Sequence, residues 1–266
     1  MYDRYHRRIH YLRISVTDRC NMRCRYCMPE EGVKFFRREE VLSFEEIQKV
    51  VEVAASLGID KVRLTGGEPL VRKDIVELVR MIAQTRGVLD LGLTTNGLLL
   101  NEFAAALKSV GLKRVNISLD TLDPDKFFQI TRGGNLAKVL EGISEAKKVH
   151  LNPIKINCVI REHTQEPDAL QVAGFCKAHG LQVRYIKQMN LQNGQFGVVY
   201  GGSGGDCTRC NRLRLTSNGM VKPCLFSNSE FSIREYGIKE AIFMALEAKP
   251  EKGACNHANC FHNIGG

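Results

Sequence analysis

The sequence predicts an α/β fold: a partial, open (β/α)6 barrel, TIM-like, over residues 10–190, with a cysteine-rich C-terminal extension. Three observations predict it. Six short β-rich runs alternate with amphipathic helical stretches, the order of a parallel sheet with right-handed crossovers. The polar motifs T-D-R-C, T-G-G-E-P, T-T-N-G and S-L-D each follow a strand directly, where a barrel carries its catalytic βα loops. The pattern then breaks: a glycine-rich stretch ends in G-G-S-G-G, and cysteines follow. Six β/α units alone fit either a doubly wound sheet or part of a barrel. The placement of the motifs decides for the barrel.

The expected strands are Leu12–Val16, Lys61–Thr65, Leu89–Thr94, Arg114–Leu119, Ile154–Ile160 and Val183–Lys187. Several are mainly apolar, as strands covered on both faces tend to be. The first helix is Ser43–Leu57. It opens on S-F-E-E, a capping box with Ser43 at the cap and Glu46 three residues on. Ile47, Val50, Val51 and Ala54 share its apolar face, and Gly58 stops it. Lys73–Thr85, Asn101–Val110, Asn135–Val149 and Pro167–His179 read likewise, with Gly111 and Gly180 suited to closing two of them. Residues 1–190 thus form the barrel, 191–206 a shortened, flexible glycine-rich linker, and 207–266 a cysteine-bearing region and tail. G-G-S-G-G lacks the G-K-[ST] of a phosphate loop.

Composition bounds the function. No apolar run approaches the roughly 20 residues that span a bilayer, and the first residues lack a signal peptide's apolar core. A cytoplasmic protein without membrane contact is expected. Lys and Arg outnumber Asp and Glu 38 to 29, for a net charge of +9. That balance suits a polyanionic partner or a solvated basic surface. Trp is absent and no recognition helix or stacking platform is apparent, so nucleic acid is not expected as a partner.

There are ten cysteines, and all but Cys158 and Cys176 cluster in short spacings near the two ends. With no export signal, that pattern favours metal ligation over disulfides. Cys158 and Cys176 read as small core residues. Cys20, Cys24 and Cys27 form C-x3-C-x2-C with no fourth cysteine following. On a [4Fe–4S] cube three thiolates leave one iron open, able to bind a substrate or cofactor, as the open position of a catalytic zinc does. The bland reading is a structural metal site with a distant fourth ligand such as Cys158. Cys207, Cys210 and Cys224 form C-x2-C-x13-C, by spacing alone a zinc ribbon lacking one ligand. Arg212 and Arg214 lie two apart, so an extended segment points both the same way, and guanidinium forks suit phosphate oxygens. Arg13 and Arg63 alternate inward within apolar strands.

C-x3-C-x2-C with Tyr26 before its last cysteine, then T-G-G-E-P and S-L-D in order, resembles the radical S-adenosylmethionine (SAM) enzymes. The resemblance implies that SAM chelates the open iron. Its reductive cleavage then gives a 5′-deoxyadenosyl radical that takes hydrogen from the substrate. Gly67 and neighbouring backbone would hold the SAM amino group, Ser118 its carboxylate or ribose end, and Tyr26 would line the adenine. C-x-x-C-N-R-L-R-L-T-x-x-G-x-x-x-P-C-L-F is similar to the C-terminal motif of one subfamily, the GTP 3′,8-cyclases of molybdenum-cofactor biosynthesis. Those enzymes also end in Gly-Gly, here Gly265–Gly266. The subfamily resemblance implies a second [4Fe–4S] cluster on Cys207, Cys210 and Cys224 with an iron open to guanine. It implies triphosphate contacts from Arg13, Arg63, Thr94, Lys155, Arg184, Arg212 and Arg214, and Met189 near the SAM adenine. Gly265 and Gly266 become an active-site tail. A cellular one-electron donor and a downstream cyclic pyranopterin synthase become partners. The implied product is 3′,8-cyclo-7,8-dihydro-GTP.

Two features depart from that subfamily. The stretch from Asn190 to Gly205 is much reduced, and Cys255, His257, Cys260 and His262 crowd the tail. The four tail residues either bind zinc, close the second cluster with a fourth ligand, or stay free. A closed second cluster fits the alternative reading, a radical SAM maturase acting on a peptide or other small molecule. A non-enzymatic iron–sulfur or zinc protein is the third class, and it leaves T-G-G-E-P and S-L-D without a use.

Overall fold

The computed structural model describes residues 1–189, 197–202 and 204–253. The predicted alternation is present: β1 (Tyr11–Ser15), α1 (Phe44–Ser56), β2 (Lys61–Thr65), α2 (Ile75–Ala83), β3 (Asp90–Thr95), α3 (Leu100–Ser109) and β4 (Arg114–Ser118). Two helices, α4 (Pro124–Thr131) and α5 (Leu136–Lys148), come next, then β5 (Lys155–Ile160), α6 (Pro167–His179) and β6 (Gln182–Lys187). Helix α1 carries the expected cap: the Glu46 amide donates to Ser43 Oγ at 3.2 Å, and the Ser43 amide donates to Glu46 Oε2 at 2.7 Å. Helix α4 escaped the sequence reading. It is short, and only Phe127 and Thr131 on it are buried. Its start is marked by Asp123, which accepts from the Asp125 and Lys126 amides, with Pro124 following.

Strands β6-β5-β4-β3-β2-β1 pair in parallel in that spatial order. The sheet does not end at β1. Strand β7 (Arg212–Leu215) adds in parallel to its other edge, and β8 (Met220–Lys222) and β9 (Phe231–Ser232) continue antiparallel. Helices α7 (Ile233–Tyr236) and α8 (Ile238–Glu247) follow. The cysteine-bearing region expected as an extension is therefore a continuation of the same sheet.

Alternation along each strand sorts the side chains. Ile14, Leu64, Leu93, Ile117 and Ile156 are fully buried in the core with Ile47, Leu78, Leu107 and Val139 of the helices. Each such burial is worth about 1.5–3 kcal/mol. The opposite, concave face carries the polar residues and is where the site lies. Among the described residues no helix is long and apolar enough to cross a membrane.

The glycine-rich stretch, expected as a flexible linker, is a hydrogen-bonded turn where it is described. Tyr200 bridges Tyr185 on the edge strand β6 through paired backbone bonds of 3.0 and 3.1 Å. The Val199 amide donates to the Gly204 carbonyl at 2.9 Å. A Cβ on Gly205 would lie 2.5 Å from the Gly197 carbonyl oxygen, and Gly205 has φ +84, so the turn needs glycine there.

Candidate active site

The loop after β1 carries Cys20, Cys24 and Cys27, all free thiols and partly exposed. Its course is set by α4, since the Arg23 and Arg25 amides donate to the Thr131 and Ile130 carbonyls at 3.0 Å. Burial, then Asp120 and the neighbouring thiols, push the Cys24 thiol up to about 12. Burial and Cys20 push Cys27 up to about 11. A thiol trio this reluctant to ionise needs a cation to become thiolates, and binding one releases protons. Among the described residues no three His, Cys, Asp or Glu side chains converge as one metal ion requires. A cube takes each thiolate on a different iron, and three free thiols on one loop suit that demand. The Met22 amide already points at Cys20 Sγ, 3.4 Å away.

T-G-G-E-P docks on the stem of this loop. The Gly67 amide donates to Thr17 O and the Glu68 amide to Arg19 O, both at 2.8 Å. A Cβ on Gly67 would sit 2.3 Å from the Arg19 carbonyl oxygen. With its amide engaged, Gly67 offers its carbonyl side, the polarity an amino group needs. Buried Glu68 ties three loops together. It accepts from Leu70 N (3.0 Å), Thr95 Oγ1 (2.8 Å) and Asn96 N (2.7 Å). Burial raises it to about 7, against those hydrogen bonds. Asn96 in turn donates to Asn21 Oδ1 at 2.7 Å and reaches Cys20 Sγ at 3.8 Å. S-L-D acts through Asp120, which accepts from Tyr26 OH at 2.7 Å and from Val159 N at 2.8 Å. That pair fixes the Tyr26 ring on the wall of a cavity of about 950 Å³, also lined by Arg25, Gln188 and Val159.

The concave strand faces form a basic surface. In register across the sheet run Arg214, Arg13, Arg63, Gly92 and Arg114. Beside that row run Arg212, Tyr11, Lys61 and Asp90, and further up Thr94, Asn116 and Lys155. Arg184 sits above Lys155 on β6, and Ser118 pairs with Asn157 at the same level. Burial and Arg63 lower Arg184, and Arg212 from β7 adds to the shift. Strands β6 and β7, with five strands between them in the sheet order, therefore face one another across a curled sheet. Burial, then Arg184, Arg114, Arg63 and Lys61, lower Lys155 to about 8. Asp90 is the acid of this face, and it pairs with Lys61 and Arg114. Arg114 Nε, Arg184 Nε and Asn116 Oδ1 are buried with no hydrogen-bond partner among the described residues. Such atoms cost about 1–3 kcal/mol each until a ligand meets them.

Arg63 donates to Tyr11 OH at 2.8 Å, and its other nitrogen lies 3.4 Å from Leu93 O and 3.5 Å from Thr94 Oγ1. Burial alone would raise the Tyr11 phenol, but Arg63, Arg13 and Arg212 outweigh it and bring it down to about 7. The ionised form is therefore the one favoured by folding. Its stabilisation is absent below about 7, grows as pH rises, and is complete above the ordinary value of 10. Tyr11→Phe is expected to remove one tyrosinate absorbance transition centred near 7. The stability gap between wild type and variant should widen from neutral to alkaline pH. A gap constant with pH would contradict the assignment.

A second thiol group lies beside β7. Cys207, Cys210 and Cys224 line a small pocket with Gly205, Arg212, Arg214 and Phe226. The Phe226 amide points at Cys224 Sγ at 3.4 Å, repeating the N–H···S arrangement of Cys20. Lys249 and Arg212 more than offset the burial of Cys210 and lower its thiol, so this pocket favours thiolate. Met189, expected near the adenine, packs with Leu225 and Phe226 beside Cys224. Cys255, His257, Cys260, His262, Gly265 and Gly266 lie outside the described residues.

Sequence reading located both cysteine sets and the inward arginines. It passed over Tyr11, Lys61 and Arg114, although their strand positions share the parity of Arg13, Arg63 and Asn116. It also passed over Glu68, Asn96 and Asp120, each inside a motif it quoted.

An open barrel with three thiols on its first loop defines the class. Residues 14–175 match the profile of the Radical SAM superfamily, and residues 156–253 match that of Molybdenum Cofactor Synthesis C. The chain is 41% identical over 300 residues to a GTP 3′,8-cyclase of Alkaliphilus oremlandii, covering 95% of this chain and 94% of that one. It is 43% identical over 299 residues to one of Peptoclostridium acidaminophilum, covering 94% and 92%. The chain belongs to the GTP 3′,8-cyclase family of radical SAM proteins. An alignment of 300 positions exceeds what 95% of a 266-residue chain can fill, so the relative carries residues with no counterpart here. Among solved structures, Streptococcus suis SuiB bound to S-adenosylmethionine has a TM-score of 0.66 at 14% identity, covering 92% of this chain and 67% of that one. Native anSMEcpe with bound AdoMet has 0.63 at 16%, covering 91% and 81%. At these identities the likeness is one of fold.

Proposed function

We propose that this chain is a GTP 3′,8-cyclase of molybdenum-cofactor biosynthesis, using SAM and two [4Fe–4S] clusters to convert GTP to 3′,8-cyclo-7,8-dihydro-GTP. The observation that carries the reading is the basic concave face, with its buried orphan donors, between two separate thiol trios. Cys20, Cys24 and Cys27 hold the N-terminal cluster. The carbonyl side of Gly67 receives the SAM amino group, Ser118 its carboxylate or ribose end, and Tyr26, locked on Asp120, bounds the adenine. When bound, the cluster and SAM supply one-electron reduction and hydrogen-atom abstraction from carbon.

Everything else falls to the protein. Cys207, Cys210 and Cys224 hold the second cluster, which fixes the guanine. Arg13, Arg63, Lys155, Arg184, Arg212 and Arg214, with Thr94, take the triphosphate. Lys61 and Arg114 add charge from the same face. Burial and then neighbouring cations lower Lys155 to about 8, and phosphate oxygens counter the cations, so GTP binding takes up a proton there near and above pH 8. The fixed arginines hold the ribose and base in one orientation and so avoid the entropic cost of finding it. The reductant is a cellular one-electron donor. The product passes to a cyclic pyranopterin synthase, and the work is cytoplasmic.

The test is anaerobic reconstitution with reductant and SAM, with and without GTP. Deoxyadenosine formed with GTP together with a cyclised nucleotide is the expected result. SAM cleavage indifferent to GTP would favour the maturase reading, and its complete absence a non-enzymatic one.

A further inference from the structure

Lys249 lies just past α8 and is 1% exposed. A buried ammonium survives only where its three donors are met. Its Nζ donates to Arg212 O at 2.8 Å and to Pro223 O at 2.7 Å. The same ammonium lies close enough to Cys210 and Cys224 to act on both thiols electrostatically. The two carbonyls belong to the residue two past Cys210 and the residue one before Cys224. One side chain thus ties together the backbone beside Cys210 and Cys224 and sets an ammonium against the thiol pocket. A second buried cation backs it. Arg7, paired with Asp3 at 2.7 Å, donates to Cys207 O at 2.7 Å, to Pro250 O at 2.8 Å and to Glu251 O at 3.0 Å.

The N-terminal thiol trio is surrounded differently: Arg132 donates to the Arg23 and Met28 carbonyls of that loop at 3.4 and 3.2 Å. Cys20 meets the neutral donors Met22 N and Asn96 Nδ2, and the carboxylates nearby are Glu68 and Asp120. Adding an electron to an iron–sulfur cluster adds negative charge. A cation beside the ligating sulfurs stabilises the reduced form, whereas neighbouring carboxylates do the reverse.

We propose that Lys249 is the charge partner of the auxiliary centre, holding its reduction potential above that of the N-terminal centre. This rests on Cys207, Cys210 and Cys224 carrying a cluster. The role is one of positioning and tuning, since Lys249 holds the backbone beside Cys210 and Cys224 and acts on their thiols. The distinguishing chemistry is its charge: Lys249→Arg keeps it and Lys249→Met removes it at similar length.

The experiment is a spectroscopic redox titration of the reconstituted full-length protein, with iron analysis, for wild type, Lys249→Met and Lys249→Arg. Adding Cys24→Ala to each isolates the auxiliary signal. In wild type the auxiliary midpoint is expected above the N-terminal one. Lys249→Met is expected to shift the auxiliary midpoint down, leave the N-terminal midpoint in place, and be largely rescued by Lys249→Arg. Loss of the auxiliary iron from Lys249→Met with retention in Lys249→Arg carries the same meaning. An auxiliary midpoint unmoved in Lys249→Met, an equal shift in both centres, or equal effects of Met and Arg overturns the proposal. Wild type holding iron for only one cluster, all lost with Cys24→Ala, instead overturns the auxiliary-cluster reading beneath it.

Discussion

Cys24→Ala is expected to leave a folded protein that has lost about half its iron and forms no 5′-deoxyadenosine above background. The thiol is partly exposed, and its loop is held by backbone bonds to α4 that the substitution does not touch. Thermal unfolding of the metal-free protein should therefore change little. The thiol is neutral near pH 7, since burial and Asp120 push it up to about 12, so its loss removes no charge interaction from the metal-free fold. The spectroscopic signal that SAM perturbs should vanish while the other centre's signal remains. Both signals persisting, or SAM cleavage continuing at the wild-type rate, would remove the N-terminal centre from the chemistry.

The parts of this protein that could be read in advance are those with a local physical rule. A capping box is local, and Ser43 with Glu46 is found as expected. Alternation within a strand is local, so Arg13 and Arg63 share one face, and Arg212 and Arg214 lie on β7 in line with Tyr11 and Arg13. What could not be read depends on how distant segments meet. No feature of C-N-R-L-R-L says that it will pair with β1 rather than fold apart, because either edge of the parallel sheet could take a strand. The glycines before Cys207 read as a linker from composition, yet a turn packed on an edge strand needs glycine at 201 and 205, where a Cβ would strike backbone. Met189 follows a strand, which fits a cavity wall as well as it fits packing against Phe226. Asp120 was quoted as part of S-L-D without a role, since its partner Tyr26 is far away in sequence.

Arg63→Ala is expected to weaken GTP binding by about 10- to 100-fold, the loss of one or two charge-assisted hydrogen bonds at about 1.5–3 kcal/mol. The residue is 4% exposed and sits at the centre of the cationic row, between Arg13 and Gly92. Its guanidinium is aimed by Tyr11 and Thr94, and it lies over Gly92, where a Cβ would come 3.2 Å from Arg63 Nη2. Glycine at 92 is thus the space the fork occupies. Gly92→Ala should displace the fork by a few tenths of an ångström and weaken GTP severalfold, less than Arg63→Ala. Arg63→Lys should recover part of the loss, because it restores the charge without the two-pronged geometry. The free protein loses less than a buried residue with these bonds would suggest. Arg63→Ala gives up the bonds to Tyr11, Leu93 and Thr94, but it relieves repulsion on a face where burial and neighbouring cations already lower Lys155 and Arg184. SAM binding should persist, and SAM cleavage should return at saturating GTP, since the Tyr26–Asp120 pair and the T-G-G-E-P stem do not touch Arg63. Equilibrium binding of GTP to the three variants, alongside deoxyadenosine formation, decides the matter. Unchanged GTP affinity in Arg63→Ala, or a ranking in which Gly92→Ala is the worst, would mean that the triphosphate does not lie along this row.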